Sequence, residues 1–216
     1  NTERQMLGKE QEVWLQSELQ LSKARSATWQ VLGQQVLMGK LNIPVIPPEE
    51  LAQLELSEYA RPRVEQTQQL APYGLPSNLD AWDGYPVARE RLFAMLTAHA
   101  TNPISLAGDT HNGWAFNLTN QKGEAVGVEW GTPGISSPGL EHYVPLQSEQ
   151  MQALLKRASP ELAACDTSQR GWTQVTLTPE AATAEWQFVS SVIEPTYTAQ
   201  TGSEISVAAG HRRLKA

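Results

Sequence analysis

The stretch Ile104-Ser105-Leu106-Ala107-Gly108-Asp109-Thr110-His111-Asn112-Gly113-Trp114 runs from an apolar segment into a glycine. It then sets an aspartate, a histidine and an asparagine within four positions. Ile104 to Ala107 reads as a buried strand, too short for a helix and stopped by Gly108. If the backbone stays extended for two more residues, Asp109 and His111 project to the same side. A hard oxygen and an imidazole nitrogen then converge, a pair suited to a borderline divalent or trivalent ion. A competing reading is an ordinary Gly-Asp turn, with His111 a surface residue. Two ligands do not hold a catalytic ion, which takes at least three from protein. The stretch is therefore part of a site or no site at all.

On either side of it the patterning alternates. Gln5 to Ala24 is helical, with Leu7, Trp14, Leu15 and Leu19 on one face. Trp29 to Met38 reads as a strand with Gln34 and Gln35 near its end. Pro44, Pro47 and Pro48 break the chain, and Pro48 opens a polar helix that has the character of an insertion. Residues 71–86 form a long loop whose Tyr73, Trp82 and Tyr85 argue for packing. Val87 to Ala100 is a helix with Leu92, Met95 and Leu96 as its buried stripe. Trp114 to Thr119, a turn at Asn120-Gln121-Lys122-Gly123, and Ala125 to Trp130 make a hairpin. Ser148 can cap a helix from Glu149 to Ala158. Gly171 to Leu177 and Glu185 to Val192 alternate as strands, and the remainder is expected to wrap the surface. The order suggests an α/β fold with a late antiparallel part.

Composition bounds the function. The 216 residues allow one large domain or two small ones. A net charge of −7 argues against a nucleic-acid or anionic-lipid surface, and no run is apolar enough to span a membrane. Cys165 is the only cysteine, so no internal disulfide forms. The start, Asn1-Thr2-Glu3-Arg4, shows neither an initiator methionine nor a signal peptide, as expected of a chain cut from something longer.

Other chemistries find little support. Gly134-Ile135-Ser136-Ser137-Pro138-Gly139 has the wrong spacing for a serine nucleophile elbow. Neither a Walker loop nor a dinucleotide glycine fingerprint occurs. Cys165 has no histidine near it in sequence. His99 sits late in a helix, where a histidine partners the dipole. His142, in the Gly139-to-Tyr143 loop, is a minor candidate for contact with substrate or metal.

Several blocks, in order, resemble the alkaline phosphatase D family of PhoD-like metallophosphatases. They are Arg4-Gln5-Met6-Leu7-Gly8 with Gln11 and Trp14-Leu15; Trp29-Gln30-Val31-Leu32-Gly33-Gln34-Gln35-Val36; and Trp82-Asp83-Gly84-Tyr85-Pro86 with Arg89 and Arg91. Leu106-Ala107-Gly108-Asp109-Thr110-His111-Asn112 follows, then Val128-Glu129-Trp130 with Thr132-Pro133-Gly134-Ile135-Ser136-Ser137-Pro138-Gly139. Gly171-Trp172 and Ala184-Glu185-Trp186 sit where the family has its last strands.

The resemblance implies a calcineurin-like αββα sandwich, two mixed sheets packed face to face and flanked by helices. It implies hydrolysis of phosphomonoesters and phosphodiesters at a multi-metal centre of iron with calcium, other divalent ions being possible. Asp109 and His111 are then metal ligands. Asn112 supports a ligand or the phosphate from behind. Asp83 either braces Arg89 or Arg91 beside the site or is a turn aspartate before Gly84.

The departure from the family is the aspartate count. Only Asp80, Asp83, Asp109 and Asp166 are present, and the motifs carrying the other ligands would precede Arg4. Residues 1–216 are thus expected to be the C-terminal part of such a domain, with a core at 4–192 and an extension at 193–216. Expected partners are a phosphoester and the missing N-terminal half. The isolated chain is expected to be inactive. The alternative is a scaffold or interaction module that kept the fold and lost the chemistry. Family members are commonly exported with an upstream twin-arginine signal, which implies the periplasm or secretion; these residues do not decide between that and the cytoplasm.

Overall fold

The computed structural model describes residues 2–215. Chain order gives α1 (Lys9–Ala24), β1 (Gln30–Gly33), α2 (Pro48–Gln53), α3 (Arg61–Leu70), α4 (Pro86–His99), β2 (Pro103–Ala107), β3 (Gly113–Thr119) and β4 (Ala125–Gly131). There follow α5 (Leu140–Tyr143), α6 (Ser148–Ala158), β5 (Leu162–Asp166), β6 (Gly171–Leu177), β7 (Ala181–Val189) and β8 (Ala199–Ala208). Five strands form a mixed sheet in the order β1-β2-β4-β3-β5, and three form an antiparallel sheet in the order β6-β7-β8. β2 runs parallel to both β1 and β4, so it is the inner strand that carries the Gly108 turn.

Two hydrophobic clusters hold the layers together. One lies on the helix side of the first sheet, where Leu19, Leu92, Phe93, Leu96, Met151 and Leu155 meet Trp114, Phe116 and Leu118. The other lies between the sheets, where Ile104, Ala115, Val128 and Trp130 meet Ala182, Ala184, Trp186 and Phe188. β7 shows why: its residues alternate strictly between buried and half-buried, the period-two pattern of a strand with one face on a core. On β4 the register slips opposite Leu118 and Thr119. This bulge turns Val126 toward the helices, while Val128 and Trp130 face the second sheet. Helices, first sheet and second sheet therefore stack as three layers of the expected sandwich.

Several expectations are corrected. The strand read at Trp29–Met38 ends at Gly33, because the next residues bend onto a buried carboxylate, that of Glu129. Trp14 is 59% exposed, off the buried face that holds Leu19. In the long loop Trp82 is buried, but Tyr73 is exposed. Ser148 is the first residue of α6 and does not cap it; its hydroxyl accepts from Gln152 Nε2. Residues 199–208, expected to wrap the surface, form β8, with Val207 buried between the sheets.

Candidate functional site

β2 delivers Gly108 to the end of the first sheet. There Gly108 N donates to Gln35 O at 3.0 Å, and Ala107 O accepts from Thr132 N at 2.9 Å. The extended backbone expected through His111 is absent. The strand stops at Ala107, Thr110 N turns back to Gly108 O at 2.8 Å, and Asp109 and His111 take left-handed φ values of 69° and 61°. Such a conformation costs an ordinary residue roughly 1–2 kcal/mol, although Asp and His adopt it more readily than most. The third such residue, Ser26 at φ 57°, lies just past the end of α1, where helix termination explains it. Two left-handed residues two positions apart persist only where the surroundings over-determine them.

His111 is held from three directions. Its carbonyl accepts from Gly134 N at 3.0 Å and from Arg170 Nη1 at 2.5 Å. Its ring Nδ1 lies 2.9 Å from Pro138 O. A carbonyl oxygen only accepts, so Nδ1 carries a proton, and in the neutral ring Nε2 is the nitrogen with a free lone pair. That is the tautomer a metal or a transferring proton requires of a histidine.

Arg170 is 8% exposed. It also donates to Gln169 O at 2.8 Å and pairs with Glu141 through Nη2. Burial by itself would raise the Glu141 carboxyl, but the Arg170 hydrogen bond and the Gly139 amide outweigh it and hold the group below the usual glutamate range. Asn112 is 1% exposed; its Oδ1 accepts from Leu140 N at 2.9 Å, while its Nδ2 is buried with no partner. Two glycines let the following loop close over this turn. A Cβ at Gly139 would lie 2.5 Å from Asn112 Nδ2, and one at Gly134 would lie 3.0 Å from His111 Cβ.

Asp109, His111 and Asn112 border one cavity of about 470 Å³. Asp109 is exposed and His111 half-buried, so neither is sealed from solvent. Asp83 does not join them. It lines a separate cavity with Arg89 and Lys40, and its Oδ2 accepts from Leu41 N at 3.0 Å. Burial raises its pKa, against the pull of the Leu41 amide and Arg89. It pairs with neither arginine: Arg89 bonds Glu161 at 2.7 Å, and Arg91 bonds Glu12 at 3.1 Å. His142 is exposed on α5 and packs edge-on against Tyr143, outside the cavity lining.

The sequence reading missed Arg170, Glu141 and the roles of Gly134 and Gly139. The only signal for the glycines was the density of proline and glycine at 132–139. It also missed what Glu129 does. This fully buried carboxylate accepts from Met38 N at 2.9 Å, Gly39 N at 2.7 Å, Ser105 Oγ at 2.7 Å and Gln34 Nε2 at 3.3 Å. Burial pushes its pKa up, opposed by the Gly39, Ser105 and Met38 donors. It fastens the loop after β1 beside the end of β2.

Comparison with known proteins agrees with the fold and the motifs. The family model for PhoD-like phosphatase matches residues 1–186. The chain belongs to the PhoD-like phosphatase family. Alkaline phosphatase D of Bacillus subtilis (strain 168) is 28% identical over 200 residues, which is 90% of this chain and 28% of that protein. A solved chain described as "Structure of PhoD" superposes with a TM-score of 0.69 at 24% identity, covering 100% of this chain and 36% of its own length. The chain therefore spans well under half of the length of the relatives it matches.

An iron and calcium centre does not fit the donors of this chain alone. Among the described residues no three His, Cys, Asp or Glu side chains converge as a metal cluster. Asp109 and His111 fall short of the three protein ligands that a catalytic ion takes.

Proposed function

We propose that this chain is part of a metal-dependent phosphoesterase, acting on phosphomonoesters and phosphodiesters, to which it contributes Asp109 and His111 as ligands. The observation that carries the reading is the His111 ring. Its Nδ1 is fixed on Pro138 O, so Nε2 is left free on the wall of a cavity that Asp109 shares. Asp109 supplies the hard oxygen, and Asn112 Nδ2 supplies a donor of the kind a phosphoryl oxygen accepts. The further ligands would come from polypeptide beyond these residues, as would any export signal directing the protein to the periplasm or outside the cell. Bound iron and calcium, or other divalent ions, would neutralise phosphoryl oxygens and acidify a water.

The purified chain, supplied with iron and calcium, is expected to show no activity above background toward p-nitrophenyl phosphate or bis(p-nitrophenyl) phosphate. Mixed with the preceding segment of the Bacillus subtilis relative, it is expected to gain activity and bound metal, both lost in Asp109→Asn and His111→Ala. Activity of the chain alone, or a complemented activity indifferent to those substitutions, refutes the assignment. A second reading, a scaffold or interaction module, is favoured by the missing third ligand. It predicts that complementation restores neither metal nor turnover.

A further inference from the structure

The cavity beside Asp109 and His111 is two-sided in its chemistry. Three polar groups at the turn are left without partners. The Asp109 carboxylate makes no hydrogen bond or ion pair with any described residue, His111 Nε2 has no bond, and Asn112 Nδ2 is a buried donor without an acceptor. Elsewhere in the lining, the Gln68 and Thr110 side chains are already engaged. Gln68 Oε1 accepts from Ile46 N at 2.8 Å and its Nε2 donates to Pro44 O at 3.1 Å, while Thr110 Oγ1 accepts from Trp114 Nε1 at 2.6 Å. The rest of the lining is mostly carbon, from Ile43, Ile46, Val64, Leu140, Val144 and Met151, with Arg63, Thr67, Ser77 and Tyr143 as its other polar members.

These walls come from two places, residues 41–68 and residues 140–155, of which the second also supports the turn through Leu140 N on Asn112 Oδ1 and Glu141 on Arg170. The first includes the proline-rich stretch and α3, a helix of largely polar composition. Such a helix still buries Val64, at 7% exposure, toward the cavity. A space of about 470 Å³ lies within the usual range of small-molecule pockets. An apolar pocket with a few convergent polar groups at one end suits a ligand with one charged end and one apolar end.

We propose that this cavity is the subsite for an apolar alkyl or aryl group of the phosphoester. The substrate class is then phosphoesters that carry a hydrophobic alcohol on one side. The inference rests on the phosphoesterase reading above for the position of the phosphate.

The test separates the two claims. Binding of n-alkanols from methanol to octanol to the purified chain reads the pocket without any phosphate. Each methylene buried is expected to tighten binding roughly fourfold until the space is filled. Thr67→Phe, which fills the cavity from a half-buried position on α3, is expected to abolish the length dependence. Val144→Asp, from the opposite wall, is expected to do the same. Affinity that does not change with chain length, or that survives both variants, overturns the subsite whatever the phosphatase assay gives. In the complemented enzyme, hexyl p-nitrophenyl phosphate is expected to be cleaved with at least tenfold higher kcat/KM than its methyl counterpart. Equal values also overturn the subsite while leaving the phosphoesterase intact. Length-dependent alkanol binding by a chain that complementation never activates overturns the assignment of the pocket to a phosphoester.

Discussion

At the scale of single residues, the candidate site depends on a clamp that makes no contact with the cavity. Arg170 ties the His111 carbonyl to Glu141, and without it one of the two donors that hold the left-handed turn is gone. Arg170→Ala is expected to cost about 2 kcal/mol, the usual loss for hydrogen bonds to a charged group, read as a shift in the urea midpoint. The pair also sets an acid limit. The Glu141 carboxyl is held below its usual range, so its contribution is complete above the unfolded value near ~4.3 and is lost as pH falls through the folded value. The Tm is expected to drop between neutral pH and about pH 3, and to drop less in Arg170→Ala. Cys165 carries the opposite lesson. Burial pushes its thiol up to about 12, with Lys156 pulling down and Asp166 pushing up. Iodoacetamide at pH 8 is expected to leave the native protein unmodified and to alkylate it in urea; rapid native alkylation contradicts the buried placement.

At the scale of elements, the decisive contacts link segments distant in sequence. Glu129 on β4 receives backbone amides from Met38 and Gly39, which stops β1 after four residues and turns the chain toward Trp82. Gln34 completes the link, donating to Ser105 Oγ at 2.7 Å and accepting from Trp82 Nε1 at 2.7 Å. Glu129→Gln keeps the shape but turns one acceptor into a donor against buried N–H groups. A loss of about 3 kcal/mol is expected, larger than for Asp83→Asn, where one amide is affected. Equal losses in the two variants would remove Glu129 from its anchoring role. A strand reading from hydrophobic pattern could not foresee this. Val36 and Met38 are apolar and continue the run from Trp29, yet the buried carboxylate, invisible to local pattern, bends them away.

At the scale of the whole molecule, four strands border a sheet among the described residues, β1 and β5 in the first and β6 and β8 in the second. β1 and β6 each end a sheet, and Trp29 Nε1 joins the two edges by donating to Thr178 O at 2.6 Å. Val31 at 43%, Trp172 at 36% and Leu177 at 45% are exposed along them. Unpaired edges with apolar side chains invite pairing with another chain. The purified chain is expected to self-associate with rising concentration in sedimentation experiments. Val31→Lys is expected to shift it toward monomer, as a charged edge residue does. A monomer at all concentrations would show that these edges are adequately protected already.

The sequence by itself determined the layers and the turn. Period-two alternation in β7, the helical stripe of Leu92 and Leu96 in α4, the Asn120–Gly123 hairpin and the apolar run into Gly108 are local patterns, and local sterics and burial suffice to read them. Asp109, His111 and Asn112 were legible as a group because they are neighbours along the chain. Only the tertiary structure decided that the turn is left-handed and that Asp83 belongs to another cavity. It also decided that Arg170, Glu141, Gly134 and Gly139 hold the site, and that α3 and α6 line an apolar space beside it. The reason is physical: a left-handed backbone and a buried ion pair are stabilised by partners tens of residues away, whose approach is set by how the layers pack and leaves no period in the sequence.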